Sequence, residues 1–187
     1  MKSVKVVFVR HGSVGRGMDV YASNSDPSLT QEGICQVEGI IEDLRRRDPV
    51  RIISSLLKRA VETSRIIANG LNIPFTAETS ISGLDTSKIN VAELLADIKA
   101  SGLGWQWYWY LLGWNNLEKC DKYVSRVAKA VCEIIKTAEG PLVLVGHWET
   151  YPALASLIGV PLKTALFVDV PNALPFEFNI NAAMKRG

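Results

Sequence analysis

His11 and His147 are the two histidines of this 187-residue chain, and each stands at the end of a short, strongly apolar segment. Arg10 directly precedes the first, and Arg59 follows a third segment of that kind, Val50 to Ser54. These residue types suit the transfer of a phosphoryl group, which mostly needs positioning and neutralisation of charge on the equatorial oxygens. A guanidinium offers a rigid fork of donors matched to those oxygens, so Arg10 and Arg59 are natural clamps. A neutral imidazole nitrogen can attack phosphorus, and a second imidazole can donate to the same oxygens. Gly12 and Gly146, beside the histidines, let the backbone approach closely. No acidic pair adjoins these residues, so the chemistry calls for neither a metal nor a cofactor.

The elements that carry these residues read as alternating strands and helices. Val4 to Val9 is a Val-rich run ending at Arg10-His11-Gly12, the pattern of a strand buried on both faces. Thr30 or Ser28 can cap the following helix, and Ser28 has Gln31 three residues on, the spacing of a capping box. Ile34, Val37, Ile41 and Leu44 give that helix one apolar face, and Asp48-Pro49 closes it. Val50 to Ser54 is the second strand, followed by a helix from about Lys58 to Asn69 with Gly70 as its stop. Two strand–helix units in succession predict parallel strands in an α/β sheet. His11, Arg59 and His147 then share the carboxyl rim of that sheet, where such folds bind ligands.

The second half is more varied. Asn72 to Lys88 has no clear pattern, whereas Asn90 with Glu93 forms a capping box for a short helix bearing Val91, Leu94, Leu95 and Ile98. A longer helix is predicted from about Asp121 to Thr137, and a strand from Pro141 to Gly146. Pro152 suits the first turn of the next helix. Ala165 to Val170 and Leu174 to Ile180 read as strands joined in a hairpin through Pro171-Asn172-Ala173. Between these elements, an insertion at about 102–116 places four tryptophans and two tyrosines in the ten positions Trp105 to Trp114. Left exposed, they would exceed the apolar patch a monomer tolerates. The segment is therefore expected to pack on the α/β body beside the pocket or on a second copy in a homodimer; stacking on a ligand and a membrane-facing lid are further uses of such rings.

Composition bounds the alternatives. With 48% hydrophobic residues, the chain fits one domain spanning 1–187. Lys plus Arg number 21 against 19 Asp plus Glu, a balance with no general attraction to nucleic acid, and Arg45-Arg46-Arg47 reads as a solvated helix end. Cys35, Cys120 and Cys132 are widely spaced and form neither a disulfide framework nor a thiolate zinc motif. The start resembles no signal peptide, and no stretch reaches the ~20 apolar residues of a membrane span. A soluble, cytoplasmic protein is the expectation.

Four blocks also resemble a known family. Val7-Phe8-Val9-Arg10-His11-Gly12 is similar to the signature of the histidine phosphatase superfamily, whose fold is phosphoglycerate mutase-like. Pro27-Ser28-Leu29-Thr30-Gln31-Glu32-Gly33 resembles its pLTxxG segment. Ser54 to Thr63 resembles its SSPLxRAxQT block, with Leu56 at the usual proline, and Val143-Leu144-Val145-Gly146-His147 its second histidine motif. The blocks stand in the family's order over roughly residues 5 to 150. The resemblance implies a three-layer α/β/α sandwich around a mostly parallel sheet with an antiparallel edge strand. It implies that His11 is the nucleophile that becomes phosphorylated and that Arg10, Arg59 and His147 complete the phosphate pocket.

The match departs from the family at the proton donor. Members that act on small phosphate esters carry a glutamate between the second strand and the second histidine, and here Ile81-Ser82-Gly83-Leu84-Asp85-Thr86-Ser87 occupies that region without it. Asp85 is the first candidate for the general acid and Glu78 the second. Trp148 excludes the aspartate that acid phosphatases place directly after the second histidine; Glu149 is a further acid on position alone. The expected activity is metal-independent hydrolysis of a small phosphomonoester through a phosphohistidine. Two alternatives stay open: a phosphatase of phosphohistidine proteins, whose leaving group needs less protonation, and a phosphate-binding or scaffold module without turnover. Mutase activity ranks lower, because the mutases' glutamate and longer insertion are missing.

Overall fold

The computed structural model describes residues 3–15, 26–84, 89–114 and 117–181. Its strands are β1 (Ser3–Arg10), β2 (Arg51–Ser55), β3 (Phe75–Glu78), β4 (Leu142–Gly146) and β5 (Pro175–Asn181). They form one sheet in the order β3-β2-β4-β1-β5. The first four run parallel, and β5 lies antiparallel to β1 at the edge.

Strand alternation sends the apolar residues to both faces. Val7, Val9, Ile52, Val143 and Val145 pack on Val37, Leu44, Ala60 and Ile67 of α1 (Gln31–Gly39), α2 (Ile41–Arg45) and α3 (Lys58–Leu71). On the other face Val6, Phe8, Ile53, Leu142 and Leu144 meet Val127, Val131 and Leu154 of α6 (Cys120–Lys136) and α7 (Thr150–Leu157). Between β3 and α6 lie α4 (Val91–Ser101) and α5 (Trp105–Leu111), and α8 (Leu162–Ala165) follows α7. The result is the three-layer α/β/α arrangement with a mostly parallel sheet. Each fully buried aliphatic side chain contributes roughly 1.5–3 kcal/mol, and the central strand β4 is buried along its whole length.

The routes of the connections create the site. The chain leaves β1 across the face of α1 and α3, and leaves the neighbouring β4 across the face of α7. Adjacent parallel strands whose connections depart to opposite faces open a crevice at their carboxyl ends. His11 and His147 stand there, each one residue beyond its strand.

Several elements differ from the sequence reading. The helix expected through Leu44 is two helices: at Ile40 the N–H donates to the Val37 carbonyl at 3.3 Å, a tightened turn after the poor helix former Gly39. Of the two caps expected for α1, Thr30 is the one used, accepting from the Gly33 N–H. Helix α3 passes through Gly70 and ends at Asn72, which takes the left-handed conformation (φ 57°). Gly70 serves packing instead, since a Cβ there would lie 2.9 Å from the Ile41 side chain. Strand β3 emerges from the unassigned stretch. Ala165 to Val170 is not a strand: α8 and a turn occupy it, with Ala165 and Leu166 buried and Phe167 72% exposed. The expected hairpin is therefore absent, and β5 pairs with β1 through Val4–Ile180, Val6–Phe178 and Phe8–Phe176. Among the described residues no helix is long and apolar enough to cross a membrane.

Candidate active site

Backbone bonds continue the β1–β4 pairing past the strands, with the His11 N–H donating to the Gly146 carbonyl at 3.0 Å. The two imidazoles thereby come to 5.2 Å between ring centroids, at 59°. Neighbouring hydroxyls pin each turn. The Gly12 N–H donates to Thr63 Oγ1 on α3, and the His147 N–H donates to Thr150 Oγ1 on α7. Gly12 is required by a close approach, because a Cβ there would lie 2.6 Å from the Gly33 carbonyl oxygen. Gly83 is required in the same way: its Cβ would meet the His147 ring at 2.7 Å.

Arg59 is the second residue of α3 and is 6% exposed. Its Nε–H donates to His11 Nε2 at 3.2 Å, while His11 Nδ1 lies 2.7 Å from the Gly12 carbonyl. A carbonyl only accepts, so Nδ1 carries the ring proton and Nε2 presents a lone pair. Asp26 supports the arginine from outside: its carboxylate accepts from the Lys58 N–H at the open N-terminus of α3 and pairs with Arg59 Nη1 at 3.3 Å. Arg10, the last residue of β1, donates from Nη1 to the Val170 carbonyl at 2.8 Å. The 170–173 segment is thus tied to the site, and Asn172 Nδ2 donates to the His11 carbonyl.

Burial and the two arginines act on the histidines in the same direction. The His11 pKa is lowered to about 3, first by burial and then by Arg59, with Arg10 adding to it against the opposing bond to Gly12. His147 also lies well below the ordinary 6.5, by burial, Arg59, His11 and Arg10 in turn. Both rings are neutral at physiological pH. His147 Nε2 lies 2.8 Å from Ser55 Oγ, at the end of β2, and its Nδ1 is buried with no hydrogen-bond partner among the described residues.

The two histidines and two arginines line a cavity of about 90 Å³, small beside the roughly 300 Å³ and more of sites for drug-sized ligands. Arg10, His11, Arg59, His147 and Glu149 are its polar lining residues; Leu84, Val91, Leu94, Trp105 and Trp148 complete the lining. Among the described residues no cluster of three or more His, Cys, Asp or Glu side chains is arranged to hold a metal ion.

The family model of the histidine phosphatase superfamily (branch 1) matches residues 6–181. The chain belongs to this superfamily. Membership supports phosphatase activity. A 2,3-bisphosphoglycerate-dependent phosphoglycerate mutase 2 of Lactobacillus johnsonii is 38% identical over 72 residues, a match that spans 36% of this chain and 31% of the mutase. Among solved structures, a mycobacterial glucosyl-3-phosphoglycerate phosphatase in complex with VO3 is similar with a TM-score of 0.75 at 23% identity, over 93% of this chain and 90% of that one. YhfR of Bacillus stearothermophilus has a TM-score of 0.75 at 19% identity, over 93% and 90%. A putative α-ribazole-5'-P phosphatase of Escherichia coli has 0.70 at 16%, over 98% and 100%. At these identities the structural likenesses establish the fold.

Against the superfamily's pattern, the four residues expected at the phosphate, Arg10, His11, Arg59 and His147, come together in one cavity. The acids fall out differently. Asp85 lies outside the described residues. Glu78 ends β3, opposite Ser55 but on the outer strand, and is exposed and away from the cavity. Among the described residues Glu149 is the carboxyl that reaches it, 6% exposed, with Oε1 accepting from the Leu84 N–H at 3.2 Å. Glu149 is marked in the sequence by position alone, and Ser55, Asp26, Thr63 and Thr150 are not marked individually. Ser55 and Thr63 stood inside the SSPLxRAxQT-like block, which was the available signal.

The aromatic segment packs on the α/β body beside this cavity. Trp109 is buried against Tyr123 of α6 and Trp148, and its Nε1–H donates to the Glu118 carbonyl. Trp105 meets Trp148 edge-on and walls the cavity. Leu112 is 64% exposed, because α5 ends at Leu111 and Gly113 turns the chain (φ 67°).

Proposed function

We propose that the protein is a phosphatase that hydrolyses a small phosphomonoester through a phospho-His11 intermediate, without a metal ion. The observation that carries this reading is the state of His11: Nδ1–H is tied to the Gly12 carbonyl, Nε2 is unprotonated, and that lone pair lies in the cavity beside Arg59. In the reaction Nε2 attacks phosphorus as the bond to the leaving oxygen breaks. Arg10 and Arg59 neutralise the equatorial oxygens, and the Nδ1–H bond to Gly12 stabilises the charge the ring acquires. With the Ser55 hydroxyl donating to Nε2 of His147, the proton of that ring sits on Nδ1, a donor suited to a phosphate oxygen. Water then cleaves the P–N bond and releases orthophosphate.

A small ester is favoured over a phosphohistidine on a folded protein because both histidines are nearly inaccessible, at 3% and 2% exposure, inside a cavity with an apolar wall. The apolar area still open at Leu111, Leu112 and Phe167, the last in contact with Trp107, is what a second copy would cover in a homodimer. For the central reading, reaction with nitrophenyl phosphate is stopped in alkaline denaturant and the protein taken to peptide mass spectrometry. Phosphate on His11 is expected. Turnover by His11→Ala at the wild-type rate would reject the mechanism, as would activity lost to EDTA and restored by a metal. No turnover of nitrophenyl phosphate above the His11→Ala background would instead support a binding module.

A further inference from the structure

An alkoxide leaves phosphorus poorly and needs a proton as the P–O bond breaks. Among the described residues that line the cavity, Glu149 is the one with a carboxyl group. Its position follows from the turn that enters α7. The Thr150 N–H donates to the His147 carbonyl, and the Tyr151 N–H to the Trp148 carbonyl. Two residues past His147, this turn brings the Glu149 side chain back to the cavity that His147 lines. The Leu84 N–H at Oε1 then holds the carboxyl in place, and Trp148, stacked edge-on between Trp105 and Trp109, closes the adjacent wall.

We propose that Glu149 is the general acid that protonates the leaving oxygen and the general base that then activates water. The assignment rests on the phospho-His11 reading above. In the first step His11 Nε2 forms its bond to phosphorus, the P–O bond breaks with its electron pair going to oxygen, and the Glu149 proton passes to that oxygen to release the alcohol. In the second step the Glu149 carboxylate takes a proton from water as the water oxygen bonds phosphorus. The P–N electrons return to His11, and Glu149 is again protonated.

The surroundings suit that cycle. Burial pushes the Glu149 pKa up, while its own and the Leu84 backbone N–H, and then Arg59 and Arg10, favour the carboxylate. Tyr123 and Arg126 on α6 also face it. A bound phosphate dianion offsets the two arginines and adds negative charge nearby, which favours the protonated form further.

Glu149→Gln, which keeps an acceptor for the Leu84 N–H, is compared with wild type on an alkyl phosphate and on nitrophenyl phosphate. The alkyl ester should slow by roughly 10²–10⁴-fold, and nitrophenyl phosphate, whose leaving group needs little protonation, far less. The alkaline limb of the alkyl-ester kcat profile should disappear in the variant. A purely structural role would lower both substrates together and leave the shape of the profile alone; either result overturns the proposal. So does a leaving-group-dependent loss in Asp85→Asn with none in Glu149→Gln. If Glu149→Gln does not fold, Glu149→Asp withdraws the carboxyl by one methylene and must show the same leaving-group bias; unbiased slowing there overturns the assignment. Phosphate on His11 in wild type, with normal alkyl-ester rates in Glu149→Gln, removes Glu149 alone. Its absence from His11 removes the reading beneath.

Discussion

Arg59 Nε donates to His11 Nε2 across 3.2 Å, so a buried guanidinium rests on the imidazole nitrogen that carries no proton. Burial and then this contact keep His11 neutral, and the contact fixes its ring. It also stores beside the lone pair a donor that a phosphate oxygen would take over as phosphorus approaches Nε2. Asp26 holds the far side of the same guanidinium, and the start of α3 holds Asp26.

Arg59→Lys should therefore be costly although charge is conserved. Lysine offers a point charge in place of the planar fork, and it cannot meet His11, Asp26 and a phosphate at once. Loss of a preorganised donor of this kind costs roughly 10²–10³-fold in kcat. Steady-state rates on nitrophenyl phosphate check this, and a loss below tenfold would show that the fork geometry is unimportant.

Stability should fall as the solution is acidified. His11 titrates at about 3 in the folded chain against an ordinary 6.5, and His147 is also strongly lowered. Below about pH 6.5 the unfolded chain binds protons that the folded one refuses, so folding stability declines from there towards pH 3. Glu149 has the opposite sign: its raised pKa favours the folded state below the unfolded value and the gain is lost as pH rises through the folded one. Denaturant midpoints across this range should drop less steeply in His11→Asn than in wild type. Parallel curves would mean that His11 is not held neutral by the fold.

Within the aromatic segment, cost should follow burial and not residue type. Trp109 is 2% exposed and meets both Tyr123 and Trp148, so Trp109→Ala should destabilise by roughly 3–5 kcal/mol. Leu112 is 64% exposed, and Leu112→Ala should stay within about 0.5 kcal/mol. Chemical denaturation of both proteins is the check. A comparable loss at Leu112, growing with protein concentration, would place that residue in an interface between copies.

Much of the framework was legible because the buried strands leave a strong signature. β1 and β4 lie between neighbours and under helices on both faces, so their sequences are nearly unbroken apolar runs. The amphipathic period of α6 and the Asn90 cap of α4 are equally local signals. β3 was not legible. It is an edge strand, half-exposed at Phe75 and exposed beyond, and its Phe-Thr-Ala-Glu lacks a distinctive pattern. The Ala165–Val170 run was apolar but too short for periodicity to separate strand from turn.

By itself the sequence determined the two histidines and two arginines and the strand ends that carry them, because a parallel sheet must bring its carboxyl ends to one rim. Only the tertiary structure decided that, of the described candidate carboxyls, Glu149 enters the cavity and Glu78 does not. Position along the chain favoured Asp85, which lies outside the described residues, and Glu78, whereas access to the cavity depends on the direction a turn takes after its strand. The bonds from Thr150 and Tyr151 direct the turn after β4 inward and bring Glu149 with it, while β3 carries Glu78 along the exposed edge of the sheet.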